Sequence, residues 1–301
     1  MKFKKLIISS LALAVSVLSL AGCGNNSADN KNGTEGKSGF KSDSTISVIS
    51  REDGSGTRGA FIELFGIQEK KDDGTKTDRT TKSAVIANKT GVVITSVSGD
   101  KNAIGYISLG SLSDSVKALK VDGVDATSEN VKNGSYKVSR QFNIATKKDV
   151  SDAAKDFISF ILSSDGQKIV SKDYIAAYDD AKPYTKSDAK GKVVVAGSSS
   201  VTPVMEKLSE AYKNVNSDVE IEIQMSDSTT GMKNAVGGIC DIAMASRELK
   251  DDELKELTPT VIALDGIAVV VNNENPLENI SSDDVKAVFT GEKTTWSEIN
   301  G

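Results

Sequence analysis

Apolar and polar positions change period along this chain in a repeating order: a short strand pattern, a glycine- or serine-rich turn, then a helical pattern. Thr45 to Ile49 alternates and predicts a strand, after which Ala60, Phe61, Leu64 and Phe65 fall at helical spacing until Gly66 closes the helix. Residues 68–83 read as a solvated loop. A strand at Ala84 to Ala87, a helix from Gly91 to Val97 and an apolar strand in NAIGYISLG (102–110) follow. Ser151 caps a predicted helix whose Ala154, Phe157, Ile158 and Ile161 share one face. KVVVAG (192–197) has the continuous apolar character of a strand buried on both faces. Thr202 as N-cap and Pro203 at the first helical position then open a helix with Met205, Leu208 and Tyr212 inward. VEIEIQM (219–225) alternates strictly, placing Val219, Ile221, Ile223 and Met225 on one side. CDIAMAS and IALDGIAVVVNN predict two more strands, and Ser281 with Asp284 a helix start. Alternation at this density implies an α/β fold with mostly parallel sheets.

The first 22 residues stand apart from this pattern. Lys2, Lys4 and Lys5 precede an apolar run from Leu6 to Leu20, too short to span and stay, which predicts an export signal. Leu20-Ala21-Gly22-Cys23 resembles the bacterial lipobox, which implies cleavage before Cys23 and a lipid on its thiol. Residues 23–44 are rich in Gly, Ser, Asn and Lys and predict a flexible tether. The other thiol, Cys240, then has no disulfide partner and reads as a small buried hydrophobe. The 301 residues contain no histidine, which removes Ser-His-Asp and Cys-His catalysis and the usual zinc sites. Without the signal, 34 basic residues face 42 acidic ones, a net charge of −8. That sign argues against nucleic acid as a partner, so any bound anion must be held by local donors.

Such donors cluster at four predicted strand ends: SREDGSGTRGAF (50–61), Gly197 to Thr202, Ser226 to Gly231, and Ser246-Arg247-Glu248. In open α/β sheets ligands collect where strands end and helix N-termini present free N–H groups. One hydroxyl at such a place is ordinarily an N-cap; four loops of them suit a small tetrahedral oxyanion. Arg51 and Arg58 flank the glycine turn, each either a fork onto anion oxygens or a surface partner of Glu52 or Asp53. Asp53 is the odd member. A carboxylate beside an anion repels it unless the anion carries a proton to donate, which hydrogen phosphate has and sulfate lacks.

The runs SREDGSGTRGAF, NAIGYISLGSL, GSSSVTPVMEKLSEAY, DIAMASREL and IALDGIAVVVNNENP resemble the phosphate-binding lipoproteins of high-affinity phosphate ABC transporters, with similarity from Thr45 to Gly301. The resemblance implies a two-lobed periplasmic-binding-protein-like fold of type II with mixed, mostly parallel sheets and a strand hinge. It implies inorganic phosphate in the cleft, permease subunits and a lipid-bearing membrane surface as partners, a monomer, no cofactor and no catalysis. Carried over by position, Arg51, Asp53, Ser55, Gly56 and Thr57 match the grip of one lobe, and Ser199, Ser200 and Ser228 that of the other. Ser246 and Arg247 occupy a place where the family often has Ser-Asp, which leaves Asp53 as the expected proton acceptor. The segment order is rotated relative to the commoner family pattern, implying a circular permutation. Expected limits are 1–22 signal, 23–44 tether, 45–140 plus 271–301 for one lobe and 141–270 for the other. Sulfate or molybdate binding and a serine-dependent phosphohydrolase remain open as other readings of the same residues.

Overall fold

The computed structural model describes residues 40–72 and 74–299, which belong to one compact unit; the expected signal, Cys23 and most of the expected tether lie outside the described residues. Eight strands form the path of one large sheet: β1 (Ser47–Arg51), β2 (Val85–Ala87), β3 (Ala103–Ser108), β4 (Ser139–Thr146), β5 (Gly191–Ser198), β6 (Val219–Ser226), β7 (Ile242–Ala245) and β8 (Thr258–Val271). Their spatial order is β6-β5-β7-β4-β8-β3-β1-β2. The outer strands pair in parallel, as strand–helix alternation requires, whereas β4, β8 and their neighbours are antiparallel. The helices used below are α1 (Gly56–Leu64), α2 (Thr90–Gly99), α3 (Asp152–Leu162), α4 (Thr202–Val215) and α5 (Ser228–Val236).

β8 holds the halves together. Its early part pairs with β4 through Thr258 to Gly266, and its late part pairs with β3 through Ile267 to Val271. Late β8 buries both faces in the first lobe: Ile267, Val269 and Val271 pack with Phe61, Tyr106 and Phe289, while Ala268 and Val270 pack with Val93, Val97 and Ile107. The second lobe repeats the scheme. Phe142, Phe157, Val195, Leu208, Tyr212 and Met244 fill one face of its sheet, and small residues, Ala145, Ala196, Ala243 and Ala245, line the other. Along β8 the packing changes from the second core at Ile262 and Ala263 to the first at Ile267, Val269 and Val271, as pairing with β3 draws the late part of the strand into the first core.

Local expectations fail where neighbours intervene. Residues 68–83, read as a loop, contain a short hairpin (Gln68–Lys70 with Lys76–Asp78). Thr202 is the first residue of α4 rather than its cap, a place taken by Val201. Met225, on the same side of β6 as the buried Val219, is 51% exposed near the end of an edge strand. Cys240 is buried and free, and burial pushes its thiol up to about 11.

A polar knot sits beneath the second core. Asp156 on α3 accepts from Tyr212 Oη at 2.5 Å, Tyr184 Oη at 2.7 Å and Asn216 Nδ2 at 3.1 Å. Burial alone would raise the carboxyl, but these bonds outweigh it and hold it below its ordinary value. Asp156→Ala strands the buried Tyr212 and Asn216 donors and is expected to lower stability by about 2–3 kcal/mol in urea unfolding. The folded carboxyl titrates below the unfolded one, so its contribution is full above the unfolded value and lost as pH falls through the lowered one; the gap between parent and variant should close in acid.

Candidate functional site

Strand ends from both lobes meet along one buried seam. In the first lobe β1 delivers Arg51, 2% exposed, and a turn closed by Ser55 N–H to Glu52 C=O at 3.0 Å leads into α1. Ser55 caps that helix by accepting from Arg58 N–H at 3.3 Å, which puts Thr57 in its first turn; Thr90 opens α2 alongside. In the second lobe β5 ends at Ser198, with Ser199 and Ser200 just ahead of α4, Ser228 opens α5 under an Asp227 cap, and Ser246 follows β7. Gly197 has φ +136°, and a Cβ there would lie 2.4 Å from Met244 C=O, so this bend requires glycine. Four helix N-termini thus bring their partial positive charge to one place.

The side chains touch across the seam. Thr57 Oγ1 lies 2.9 Å from Ser200 Oγ and 3.2 Å from Ser246 Oγ; Thr90 Oγ1 lies 3.2 Å from Ser200 Oγ and 3.4 Å from Ser199 Oγ. Ser198 Oγ donates to Ser246 Oγ at 3.0 Å, and Ser228 Oγ accepts from Ser246 N–H at 3.2 Å. Arg51 Nη2 donates to Ser199 Oγ at 3.1 Å and its Nη1 to Thr90 Oγ1 at 3.4 Å. Its Nε and Nη2 grip Glu52, each at 2.8 Å, which leaves the far edge of the guanidinium facing the hydroxyls. Below the strand end, Tyr106 Oη accepts from Arg51 N–H at 3.1 Å and meets Ser50 Oγ at 2.9 Å; burial pushes this phenol up to about 12.

A second guanidinium enters from the hinge. Arg140 on β4 pairs with Asp265 on β8, donates to Gly266 C=O at 2.6 Å, and reaches Thr57 Oγ1 with Nη2 at 3.2 Å. Asp265 also accepts from Ser108 Oγ at 2.7 Å and Gly110 N–H at 3.2 Å. Burial pushes the Asp265 carboxyl above its ordinary value, opposed by Arg140 and by these bonds. Arg140, Asp265 and Thr90 were not among the sequence candidates, and Ser198 entered only as part of the Gly197–Thr202 cluster. A lone acid inside IALDGIAVVV and a lone base inside a buried strand were signals that could have found the pair, since buried charges need partners.

Of the expected site residues, the seam collects Arg51, Gly56, Thr57, Ser199, Ser200, Ser228 and Ser246, with the Ser55 hydroxyl committed to its cap. Asp53 requires correction. Its side chain is 96% exposed and pairs with Arg58 at 3.1 Å, because it stands in the Glu52–Ser55 turn and projects to solvent. Arg58 donates to Arg51 C=O at 2.5 Å and pairs with Asp78 at 2.9 Å. Arg247 borders the seam, but its guanidinium grips Glu253 at 2.7 Å through both oxygens and reaches Thr229 Oγ1 at 3.3 Å. Cys23 lies outside the described residues. Among the described residues the seam hydroxyls bond to guanidinium groups and to one another, a donor set that suits holding an oxyanion.

Comparison with known proteins agrees with this chemistry. Residues 26–165 and 182–301 match the model of a PBP superfamily domain. The chain is 51% identical over 301 residues to the phosphate-binding protein PstS 2 of Streptococcus agalactiae serotype V, covering 99% of each. It is 48% identical to phosphate-binding protein PstS 2 of Streptococcus pneumoniae serotype 4, covering 99% of this chain and 100% of that one. The crystal structure of a phosphate ABC transporter phosphate-binding protein from Streptococcus pneumoniae TIGR4 superposes with a TM-score of 0.68 at 49% identity, over 85% of this chain and all of that one.

The lobes also approach closely at Gly56, where a Cβ would lie 2.5 Å from Ser228 Oγ and 2.8 Å from Ser246 Oγ. Gly56→Ala is expected to wedge the lobes apart, enlarging the radius of gyration in small-angle scattering while the far-ultraviolet circular dichroism stays that of the parent. An unchanged scattering profile would show that the lobes do not meet at this point.

Proposed function

Because the chain belongs to the PBP superfamily and, within it, to the PstS phosphate-binding family, we propose that it binds inorganic phosphate between its two lobes and delivers it to the permease of a phosphate ABC transporter. The observation that carries this reading is the seam itself: hydroxyls at four helix N-termini, drawn from both lobes, with the guanidinium of Arg51 directed among them. In a chain of net negative charge, bonds of this kind must supply the attraction that the overall field opposes. Charge-assisted hydrogen bonds to a tetrahedral oxyanion are roughly twice as strong as neutral ones. Thr57 and Arg51 belong to one lobe and Ser199, Ser200, Ser228 and Ser246 to the other, so a ligand between them completes its contacts only when the lobes close. Binding then favours the closed form, and the closed form is what a permease can distinguish.

We take the first lobe as residues 45 to about 140 with 264–301, and the second as about 141–263, following the change of core along β4 and β8. No helix among the described residues is long and apolar enough to cross a membrane. Attachment through lipidated Cys23 and the 23–44 tether would hold the binding body at the outer face. A rotated segment order would fit the pairing of residues near the described ends, where Ile46 N–H donates to Thr294 C=O at 2.8 Å and Ser297 N–H to Ser42 C=O at 2.8 Å.

Calorimetry with inorganic phosphate on protein prepared without phosphate buffer tests the reading. Saturable binding of one phosphate per chain is expected, weakened about 100-fold or more by Arg51→Met, which removes at least two charge-assisted bonds. Absence of binding by the parent, or an Arg51→Met variant with parental affinity, would overturn it. For the anchor, Cys23→Ala is expected to move the protein from the membrane fraction to the soluble one.

A further inference from the structure

We infer that Arg140 is a positioning residue for the anion site: held in place by Asp265, its guanidinium fixes the Thr57 hydroxyl as a proton donor toward the guest. The inference rests on the phosphate reading above and adds to it a residue that acts through Thr57 rather than on the ligand.

Arg140 and Asp265 stand opposite each other on antiparallel β4 and β8, and both are buried. The guanidinium is held on three sides. Its Nη1 bonds to the Asp265 carboxylate and donates to Gly266 C=O at 2.6 Å, and its Cζ lies over the Phe142 ring, 5.0 Å from the centroid. The Asp265 carboxylate is fixed in turn by Ser108 Oγ at 2.7 Å and Gly110 N–H at 3.2 Å. A planar fork clamped in this way has little freedom to redirect its other terminal nitrogen. Among the described residues that nitrogen, Nη2, has a single hydrogen-bond partner, Thr57 Oγ1 at 3.2 Å.

The consequence is polarity. A threonine hydroxyl has one proton and two acceptor lone pairs, and the proton rotates to suit its neighbours. A guanidinium cannot accept, so at this contact Thr57 must, and its own proton is turned away from Arg140. The other neighbours of Thr57 Oγ1 are the seam hydroxyls of the opposite lobe, Ser200 Oγ at 2.9 Å and Ser246 Oγ at 3.2 Å. The charged oxygens of an anion arriving there accept. A hydroxyl already committed to donating gives up less freedom on binding, and hydrogen bonds linked in series polarise one another. Asp265 offsets the charge of Arg140, so what the arginine contributes to the site is direction more than field.

A pair that served folding alone would act on binding without regard to Thr57, and a double-mutant cycle separates the two roles. Calorimetry with inorganic phosphate, titrated to millimolar concentration into the full mature chain prepared without phosphate buffer, compares the parent, Arg140→Met/Asp265→Asn, Thr57→Val and the combined variant. The introduced carboxamide oxygen still accepts from Ser108 and Gly110, and neither charge is left unpaired. Replacing the pair is expected to weaken phosphate binding about tenfold in the parent, the size of one hydrogen bond, and by less than about twofold in the Thr57→Val background. Thr57→Ser, which keeps the hydroxyl, is expected to restore the sensitivity. An equal loss with and without the hydroxyl, or parental affinity after the pair is replaced, would overturn the inference and leave the phosphate reading standing. Should the pair replacement unfold the chain, Arg140→Lys carries the same cycle with the same coupling expected, because it keeps the charge beside Asp265 and loses the fork. Absence of phosphate binding by the parent would remove the functional reading and this inference with it.

Discussion

Buried guanidinium groups govern the middle of this molecule. Arg51 and Arg140 are both removed from water, and a buried charge is tolerated only where a counter-charge and hydrogen bonds replace the lost hydration. Each has its own carboxylate, Glu52 and Asp265, and each carboxylate grips one edge. The opposite edges are thereby aimed at the hydroxyls of the seam. Removing either acid would therefore alter the direction of a donor as well as the local charge.

The fold is arranged to place those donors. Parallel strands end at the seam because helices return the chain to the far edge of each sheet, so successive βα turns open on the same side. Antiparallel β4 and β8 do the opposite work, carrying the chain between two cores while keeping their backbone bonds satisfied. The Arg140–Asp265 pair lies on this crossing and touches Thr57 in the first lobe. The crossing strands and the hydroxyl seam are consequently one hydrogen-bonded system.

Much of this was legible in the sequence for local reasons. Ser151 and Ser281 cap their helices as their spacing implies, and the glycine–hydroxyl turns sit at strand ends because strand, turn and helix signals are all short-range. The illegible parts depend on contacts distant in the chain. Nothing near Thr90 announces that it will meet Ser199, more than one hundred residues away. Asp53 was misplaced for a different reason: neighbouring residues in a tight turn project in different directions, and composition does not reveal which of Glu52 and Asp53 will face Arg51. Met225 shows the same limit, since alternation marks a face without saying whether the sheet covers it to the end.

In the proposed reading an anion sits where the two lobes share their hydroxyls. A crystal structure grown with inorganic phosphate tests it most directly. One tetrahedral anion is expected within hydrogen-bond distance of Arg51 and of hydroxyls from both Thr57 and the Ser199–Ser200 turn. Density for the ion beside Asp53, or on any outer surface with the seam hydroxyls still bonded only to each other, would contradict it.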